Sequence, residues 1–179
     1  SVAFQIARLI ILNYSPDINA GKEKMISILF DMNKLWEEFV LNEIRLSSKF
    51  SDYNIFGQDS KNFFSNNFLE PDIVIEHKKD QDKKFIIDTK WKCPKNNTAS
   101  VSDLRQIYTY GRFWKVKKTM LLYPGYQETR FNDFETEDWL VDNGKSIKHQ
   151  CKLGYINIFN KEKQLTKDLG ASVFDMLIQ

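Results

Sequence analysis

Two short apolar runs in the middle of the chain predict a pair of buried β-strands. The runs cover residues 73–75 and 85–87, are rich in isoleucine and valine, and are separated by a charged segment. Runs of this length and composition on either side of a polar turn are typical of two strands joined by a hairpin. If the hairpin is centred near Asp80, antiparallel pairing places Asp72 opposite Asp88 to within about one residue of register.

The clearest helical pattern covers residues 23–49. Apolar side chains recur there at three- and four-residue steps and predict a buried stripe: Met25, Ile28, Leu29, Met32, Leu35, Trp36, Phe39 and Val40. Glu37 and Glu38 flank this stripe, but Leu41 and Ile44 widen its apolar surface on the side of Glu37. We therefore expect Glu37 to face inward, where its carboxylate needs a polar partner such as a water beside a metal ion. A solvated glutamate on the helix surface is the alternative.

The remaining pattern predicts strands on both sides of a second long helix. One or two short strands over residues 53–56 and 62–68 would form a three-stranded meander with the strands above. Ser102 is the expected N-cap of a helix over residues 103–117. The apolar run 119–123 predicts a buried strand parallel to the one at 85–87, because a crossover helix precedes it.

Both ends of the chain carry further apolar patterns. The N-terminal twelve residues suit a buried helix and are too short and too polar for a signal peptide or a membrane span. The C-terminal pattern predicts a strand around Ile156 and Ile158 and a helix over residues 164–178. Because the sequence lacks an initiator methionine, we expect a fragment of a longer protein.

Composition narrows the class of protein but does not identify a partner. The 179 residues fit a single domain, and the net charge of +2 is too small to indicate a ligand. Cys93 and Cys151 are isolated, which argues against a structural zinc site and a disulfide scaffold. The expected setting is reducing and cytoplasmic.

Charged residues at the strand ends point to chemistry. Asp72 opens the first strand, while Asp88, Thr89 and Lys90 close the second, and residues 88 and 90 share one face. Two carboxylates are the ligands that Mg²⁺ takes from a protein while it keeps water and a substrate phosphate. A neighbouring lysine can hold an attacking water and offset charge at phosphorus. The alternative is two strand ends with surface ion pairs.

The second helix adds candidate residues to this end of the sheet. Gln106 and Tyr110 lie on one helix face, where they could support the carboxylates or a phosphate. A basic excess surrounds them and predicts contact with a nucleic-acid backbone through Lys92, Lys95, Arg105 and Arg112. An interfacial packing pair and a solvated basic face are the plainer readings.

In combination and order, these motifs resemble a known nuclease family. The residues PD followed by DTK are similar to the PD-(D/E)xK signature, and the element order matches the αβββαβ core of that superfamily, an α/β fold with a mixed sheet flanked by helices. The segment LFDMNKLWEEFV resembles the helix motif of McrC, the nuclease subunit of McrBC modification-dependent restriction systems, with Trp36 in place of the usual phenylalanine. The likeness covers residues 25–123.

This resemblance implies a Mg²⁺-dependent DNA endonuclease in which Mn²⁺ substitutes. Asp72 and Asp88 would be metal ligands with the Thr89 carbonyl, Glu37 would contribute directly or through water, and Lys90 would position the nucleophile. Gln106 and Tyr110 complete the implied catalytic set. The implied partners are double-stranded DNA and an McrB-like AAA+ GTPase. Alternatives are a RecB-like repair nuclease and a catalytically inactive DNA-binding or assembly module.

Overall fold

The computed structural model describes residues 31–135, 140–142, 145–160, 162 and 164–178. The chain divides into two units, Ser1–Phe30 and Asp31–Gln179, and every feature below belongs to the second. The expected N-terminal helix and the expected core positions Met25, Ile28 and Leu29 lie outside the described residues. The single-domain organisation stays a prediction.

The described ranges contain three α-helices and ten β-strands. The helices are α1 Met32–Leu46, α2 Val101–Trp114 and α3 Leu169–Ile178. The strands are β1 Tyr53–Gly57, β2 Lys61–Phe64, β3 Asn67–Leu69, β4 Ile73–His77, β5 Lys84–Thr89, β6 Lys118–Pro124, β7 Phe131–Asp133, β8 Leu140–Asp142, β9 Lys145–Ile147 and β10 Gln150–Ile156. Short 3₁₀ turns lie at Ser48–Phe50 and Lys95–Asn97. None of the helices in these ranges is long and apolar enough to cross a membrane.

Six strands form one mixed sheet in the order β1-β4-β5-β6-β10-β7. Strands β5, β6 and β10 run parallel, whereas β1, β4 and β5 form an antiparallel meander and β7 pairs antiparallel with β10. The expected parallel pairing of β6 with β5 is confirmed. Helices cover both faces, so the molecule has an α/β fold with a mixed sheet flanked by helices.

The alternation of side chains along the strands divides the core between the two faces. On one face α1 and α3 pack against Ile73, Ile75, Ile87, Met120 and Leu122. On the other face α2 packs against Val74, Ile86, Leu121 and Tyr123. Because both faces are covered, the central strands are apolar at nearly every position, as their sequence predicts.

The register of the central hairpin is confirmed. Ile73 pairs with Ile87 and Ile75 with Phe85, which centres the turn near Asp80. The expectation of one strand over residues 62–68 is wrong, because the chain reverses at Ser65, which has a left-handed backbone with φ of 52°. Asn62 Nδ2 donates to the Ser65 carbonyl and Asn67 Nδ2 donates to the Phe64 carbonyl, so two amides stabilise the β2–β3 turn.

Helix α1 is shorter than its apolar pattern predicts. Asp31 is its N-cap, in extended backbone conformation, with Oδ1 accepting from the backbone N–H groups of Asn33 and Lys34. A continuous helix from residue 23 is therefore wrong. Met32 and Leu35 are 37% and 48% exposed, so their predicted place in the core is also wrong. Burial begins at Trp36, because periodicity marks a face of a helix and not the turn at which that face meets the sheet.

The boundaries of the other two helices also differ from expectation. Helix α2 begins at Val101, and its N-cap is Ser100 instead of Ser102; Ser100 Oγ accepts from the Asp103 backbone N–H at 3.1 Å. It ends at Trp114 because Lys115 is left-handed, with φ of 55°. Helix α3 begins at Leu169, since Leu165 instead forms an isolated β-bridge with Phe159.

Candidate functional site

The β4–β5 pairing brings Asp72 and Asp88 to the same edge of the sheet. Asp72 Oδ2 accepts hydrogen bonds from the Thr89 backbone N–H at 2.6 Å and from Thr89 Oγ1 at 2.8 Å. Thr89 directly follows Asp88, so these two bonds fix the Asp72 carboxylate beside the end of β5. The sequence expectation that residues 72 and 88 meet is therefore consistent with the geometry.

Asp88 is the most unusual group at this edge. The residue is 0% exposed, and its Oδ1 atom accepts no hydrogen bond among the described residues. Burial, followed by the nearby Asp72 carboxylate, raises the pKa of Asp88 to about 7. A buried carboxylate oxygen without a partner costs free energy, so the fold holds a group that a cation would stabilise.

Lys90 supplies a positive charge beside Asp88. Its Nζ lies 2.5 Å from Asp88 Oδ2 and donates to Gln106 Oε1 at 3.1 Å. Its backbone N–H donates to the Leu122 carbonyl, which fixes the chain just after β5. Burial alone would lower the pKa of Lys90, but the Asp88 carboxylate outweighs it and the pKa is raised, so the amine stays protonated.

A short chain of hydrogen bonds connects Lys90 to α2. Gln106 Nε2 donates to Tyr110 Oη at 2.9 Å, and the Tyr110 hydroxyl donates to the Glu70 carbonyl at 3.1 Å. Gln106 thus places its amide oxygen at Lys90, while Tyr110 connects the helix to the segment just before Asp72. The spacing of four residues predicts this pairing on one helix face.

Glu37 faces the site, as the widened apolar stripe predicts. Its Oε1 accepts from Gln58 Nε2 at 2.9 Å, and burial followed by the Asp72 charge raises the pKa of Glu37. Glu38, by contrast, is exposed. Glu37 therefore belongs to the same electrostatic group as Asp72, although it comes from a helix on the opposite face of the sheet from α2.

Sequence reasoning missed Gln58. Its backbone is left-handed, with φ of 54°, and its N–H donates to the Asp72 carbonyl at 2.9 Å. The preceding Gly57 packs closely against α1, where an added Cβ would lie 2.5 Å from Leu41 Cδ2 and displace that side chain. The Gly-Gln pair at a strand end signals only a turn, so no local pattern assigns Gln58 to the site.

The predicted backbone-binding residues are distributed around α2. Lys92 Nζ lies 2.5 Å from Asp103 Oδ2, so its charge is partly neutralised within the fold. Arg105 is exposed, while Arg112 donates to the Tyr108 hydroxyl at 3.3 Å. The side chain of Lys95 lies outside what the structure describes.

The donor set suits a hard divalent cation with two protein carboxylates. Among the described residues, no three His, Cys, Asp or Glu side chains converge closely enough to hold one ion. Asp72 lies close enough to Asp88 to raise its pKa, however, and Asp88 Oδ1 is buried without a partner in the described part of the chain. Mg²⁺ commonly takes one or two carboxylates and completes its shell with water and phosphate oxygens. The residues present therefore fit Mg²⁺ better than a metal that requires a complete protein cage.

Comparison with known proteins assigns the sequence to a family. The family model described as McrBC 5-methylcytosine restriction system component matches residues 1–124, well over half of the chain. The chain belongs to the McrBC family. The predicted resemblance to McrC is thereby confirmed at the level of the family. None of the curated proteins matches the McrBC chain significantly.

A solved structure shares the fold. It is the refined half-complex from a tetradecameric assembly of Thermococcus gammatolerans McrB AAA+ hexamers with bound McrC, and the TM-score with one of its chains is 0.55 at 18% sequence identity. The similarity covers 83% of the McrBC chain described here and 33% of the solved chain. The present chain thus spans about a third of the length of that relative.

Proposed function

We propose that this McrBC-family chain is the Mg²⁺-dependent DNA endonuclease domain of an McrC-type subunit. The observation that carries the proposal is the buried Asp88 carboxylate beside Asp72, with the Lys90 amine next to it and with one oxygen that has no partner among the residues the structure describes. The order α1, β1, β4, β5, α2, β6 supports it, because it follows the αβββαβ plan of the PD-(D/E)xK superfamily.

In this proposal Asp72 and Asp88 hold the Mg²⁺ with the Thr89 carbonyl, and Glu37 contributes directly or through water. When bound, the ion supplies Lewis-acid stabilisation of the negative charge that develops at phosphorus. Mn²⁺ is expected to support the same reaction.

Lys90 acts on the attacking water and on the phosphate. Because the pKa of Lys90 is raised, its ammonium is charged at neutral pH and suits holding the water and offsetting charge, not removing a proton. Gln106 fixes the direction of this ammonium through its amide oxygen, and Tyr110 fixes Gln106. The contacts of Gln106 and Tyr110 thus support a role in positioning the Lys90 ammonium.

The family supports a proposal for the substrate and the partner. The family description names a 5-methylcytosine restriction system, and the solved relative contains McrB AAA+ hexamers with bound McrC. We extend both to this chain and propose modified double-stranded DNA as substrate and an McrB-like AAA+ GTPase as partner. Cleavage is expected in the assembled complex, with weak activity in the chain alone.

The test separates the metal ligands from the lysine. Lys90→Ala is expected to lower the rate of duplex cleavage at least about 100-fold, because removing one donor to the transition state commonly costs that much. The same variant is expected to bind Mn²⁺ still. Asp88→Asn is expected to lose both cleavage and calorimetric Mn²⁺ binding. Cleavage is measured in the presence of the GTPase partner, with Lys34→Ala, an exposed residue on α1, as control. Wild-type cleavage by a folded Lys90→Ala protein would remove the assigned role.

A second candidate function is an inert DNA-binding or assembly module. The observation that favours it is the ammonium of Lys90, which already lies 2.5 Å from Asp88 Oδ2 and supplies positive charge where a metal would. In that case the Mn²⁺ titration gives the same result for wild type and Asp88→Asn, and neither protein cleaves DNA with its partner.

A further inference from the structure

A polar cavity lies at the other end of the sheet from Asp88. It has a volume of about 400 Å³ and is lined by Lys118, Thr129, Arg130, Phe131, Gln150 and Lys152. Lys118 begins β6 and pairs with Phe85 at the start of β5, whereas Asp88 pairs with Leu121 three positions further along. The cavity therefore lies near the amino ends of the parallel strands, apart from the candidate metal site.

Among the residues that the structure describes, the cavity lining has three cations and no acid. Lys118 Nζ lies 4.5 Å and Lys152 Nζ 5.3 Å from the centre of the Phe131 ring, so two ammonium groups share one aromatic side chain. No carboxylate lies within ion-pair distance of Lys118, Arg130 or Lys152 in the part of the chain that the structure describes. The concentration of positive charge is thus uncompensated there.

Burial of Lys152 makes this group of positive charges unfavourable in free energy. The residue is 3% exposed, and its ammonium has three donors. Within the described ranges it makes one hydrogen bond, to the Met176 carbonyl at 2.9 Å. Burial, followed by the charge of Lys118, lowers the pKa of Lys152. A buried ammonium beside a like charge is unfavourable unless an anion is close.

Asp133, which pairs with Gln150 across β7 and β10, already has partners of its own. Asp133 Oδ1 accepts from Gln150 Nε2 at 2.7 Å, and its Oδ2 lies 3.2 Å from Lys148 Nζ. Asp133 thus fixes Gln150 at the rim of the cavity but does not neutralise the lysines. The Thr129 hydroxyl donates to the Leu153 carbonyl, which secures the opposite rim.

We propose that this cavity binds an oxyanion of the phosphate class. Lys118 and Lys152 supply positive charge beside Phe131, and Arg130 supplies the planar fork that pairs with two phosphate oxygens. The volume lies in the range of about 300–1,000 Å³ typical of ligand sites, so the group attached to the phosphate also fits. That group is either the nucleic-acid backbone or a small phosphorylated molecule, and the proposal does not depend on nuclease activity.

The first experiment uses inorganic phosphate as the probe. Phosphate is compared with chloride at matched ionic strength, and at about ten times its Kd it is expected to raise the Tm of wild type by ~3 °C. The double variant Lys118→Met, Arg130→Gln is expected to lose this shift. A matched variant that removes two exposed lysines elsewhere, Lys34→Met with Lys167→Gln, is expected to keep it.

Further variants keep the outcome decisive. Arg130→Gln alone, at an exposed position, is expected to weaken the phosphate shift even if the double variant fails to fold, whereas Lys118→Arg retains the charge and is expected to keep the shift. Asp88→Asn is expected to keep the shift too, which separates this cavity from the candidate metal site. No phosphate shift in wild type, or an equal shift in every variant, overturns the proposal and leaves a general salt effect.

The second experiment distinguishes the two sources of phosphate. Fluorescent duplex DNA is titrated in EDTA, which suppresses the metal site. A loss of affinity of about tenfold or more in the double variant, with competition by inorganic phosphate, identifies the DNA backbone as the ligand. Unchanged DNA affinity, together with the phosphate shift in wild type, identifies a free phosphorylated ligand instead.

Discussion

Asp88 is a residue at which folding and the proposed chemistry oppose each other. Its carboxylate is fully buried, and one oxygen has no hydrogen-bond partner within the described residues. An apolar or amide side chain would serve the sheet better at this position, because a buried charge costs free energy. A cation reverses that balance. The cost is consistent with a residue retained for binding and not for stability.

The raised pKa of Asp88 gives a pH dependence with a definite sign. Between its ordinary value of 3.8 and about 7, the folded protein keeps a proton that the unfolded chain has lost. The free energy of unfolding therefore falls as pH rises through this window, by at most about 1.4 kcal/mol per pH unit, and levels off above it. Urea unfolding of wild type and Asp88→Asn in EDTA, from pH 4.5 to 8, measures this slope as the difference between the two curves.

The comparison with Asp88→Asn is needed because the titration of His149 changes the free energy of unfolding in the opposite direction. Burial, followed by the charge of Arg112, lowers the pKa of His149 to about 4, so the folded state binds fewer protons and stability rises with pH from about 4 to 6.5. Asp88→Asn leaves this contribution in place and cancels it from the comparison. Parallel curves for the two proteins would contradict the raised pKa of Asp88.

At the scale of single elements, the start of α2 tests how a cap is selected. The sequence offers two serines, Ser100 and Ser102, either of which can precede a helical turn. The structure uses Ser100, whose extended backbone lets Oγ accept from the Asp103 N–H. The choice depends on the path of the preceding loop, which composition does not specify.

The two serines form a matched pair of variants. Ser100→Ala is expected to lower the free energy of unfolding by about 1 kcal/mol, because it removes a partner from an end N–H group. Ser102→Ala, at an exposed position, is expected to change it by less than about 0.5 kcal/mol. Chemical denaturation of both proteins measures the contrast, and equal losses would contradict the cap assignment.

The sequence predicts the interiors of elements better than their ends. The β4–β5 register and the inward face of Glu37 follow from local periodicity, because strand alternation and helix pitch are properties of neighbouring residues. The ends of α1, α2 and α3 depend on capping and on left-handed residues such as Lys115. The pattern of residues 62–68 predicts one strand because phenylalanines on both sides of Ser65 favour a strand, whereas the structure has a turn at Ser65.

At the scale of the whole molecule, the candidate site depends on contacts that no local pattern encodes. Asp72, Asp88 and Lys90 lie at the ends of the adjacent strands β4 and β5, so the sequence predicts their proximity. Gln58 donates to Glu37 from a turn 21 residues away in sequence, where β1 packs closely against α1 at Gly57. The basic cavity forms where β6, β7 and β10 meet, and its lysines are far apart in sequence.

The packing of α3 on α1 sets a second close approach. A Cβ at Gly170 would lie 2.3 Å from the Glu43 carbonyl oxygen and 2.6 Å from Ser47 Cβ. Although alanine favours a helix over glycine, this clash with backbone is expected to dominate, and Gly170→Ala should lower the free energy of unfolding by about 1–3 kcal/mol. Ser172→Ala, at an exposed position of the same helix, is the control. A Gly170→Ala protein as stable as wild type would refute the close approach.

The β2–β3 hairpin leaves the sheet after β1 and returns before β4, and those two strands pair directly with each other. The Gln58 to Asp72 backbone hydrogen bond closes its base, so the length of the excursion does not affect the alignment of the strands. The tip at residues 65–66 is consequently a convenient place to attach a fluorescent reporter. A dye there would be attached to the hairpin whose base lies next to Asp72. It would not interrupt the backbone hydrogen bonds between β1 and β4.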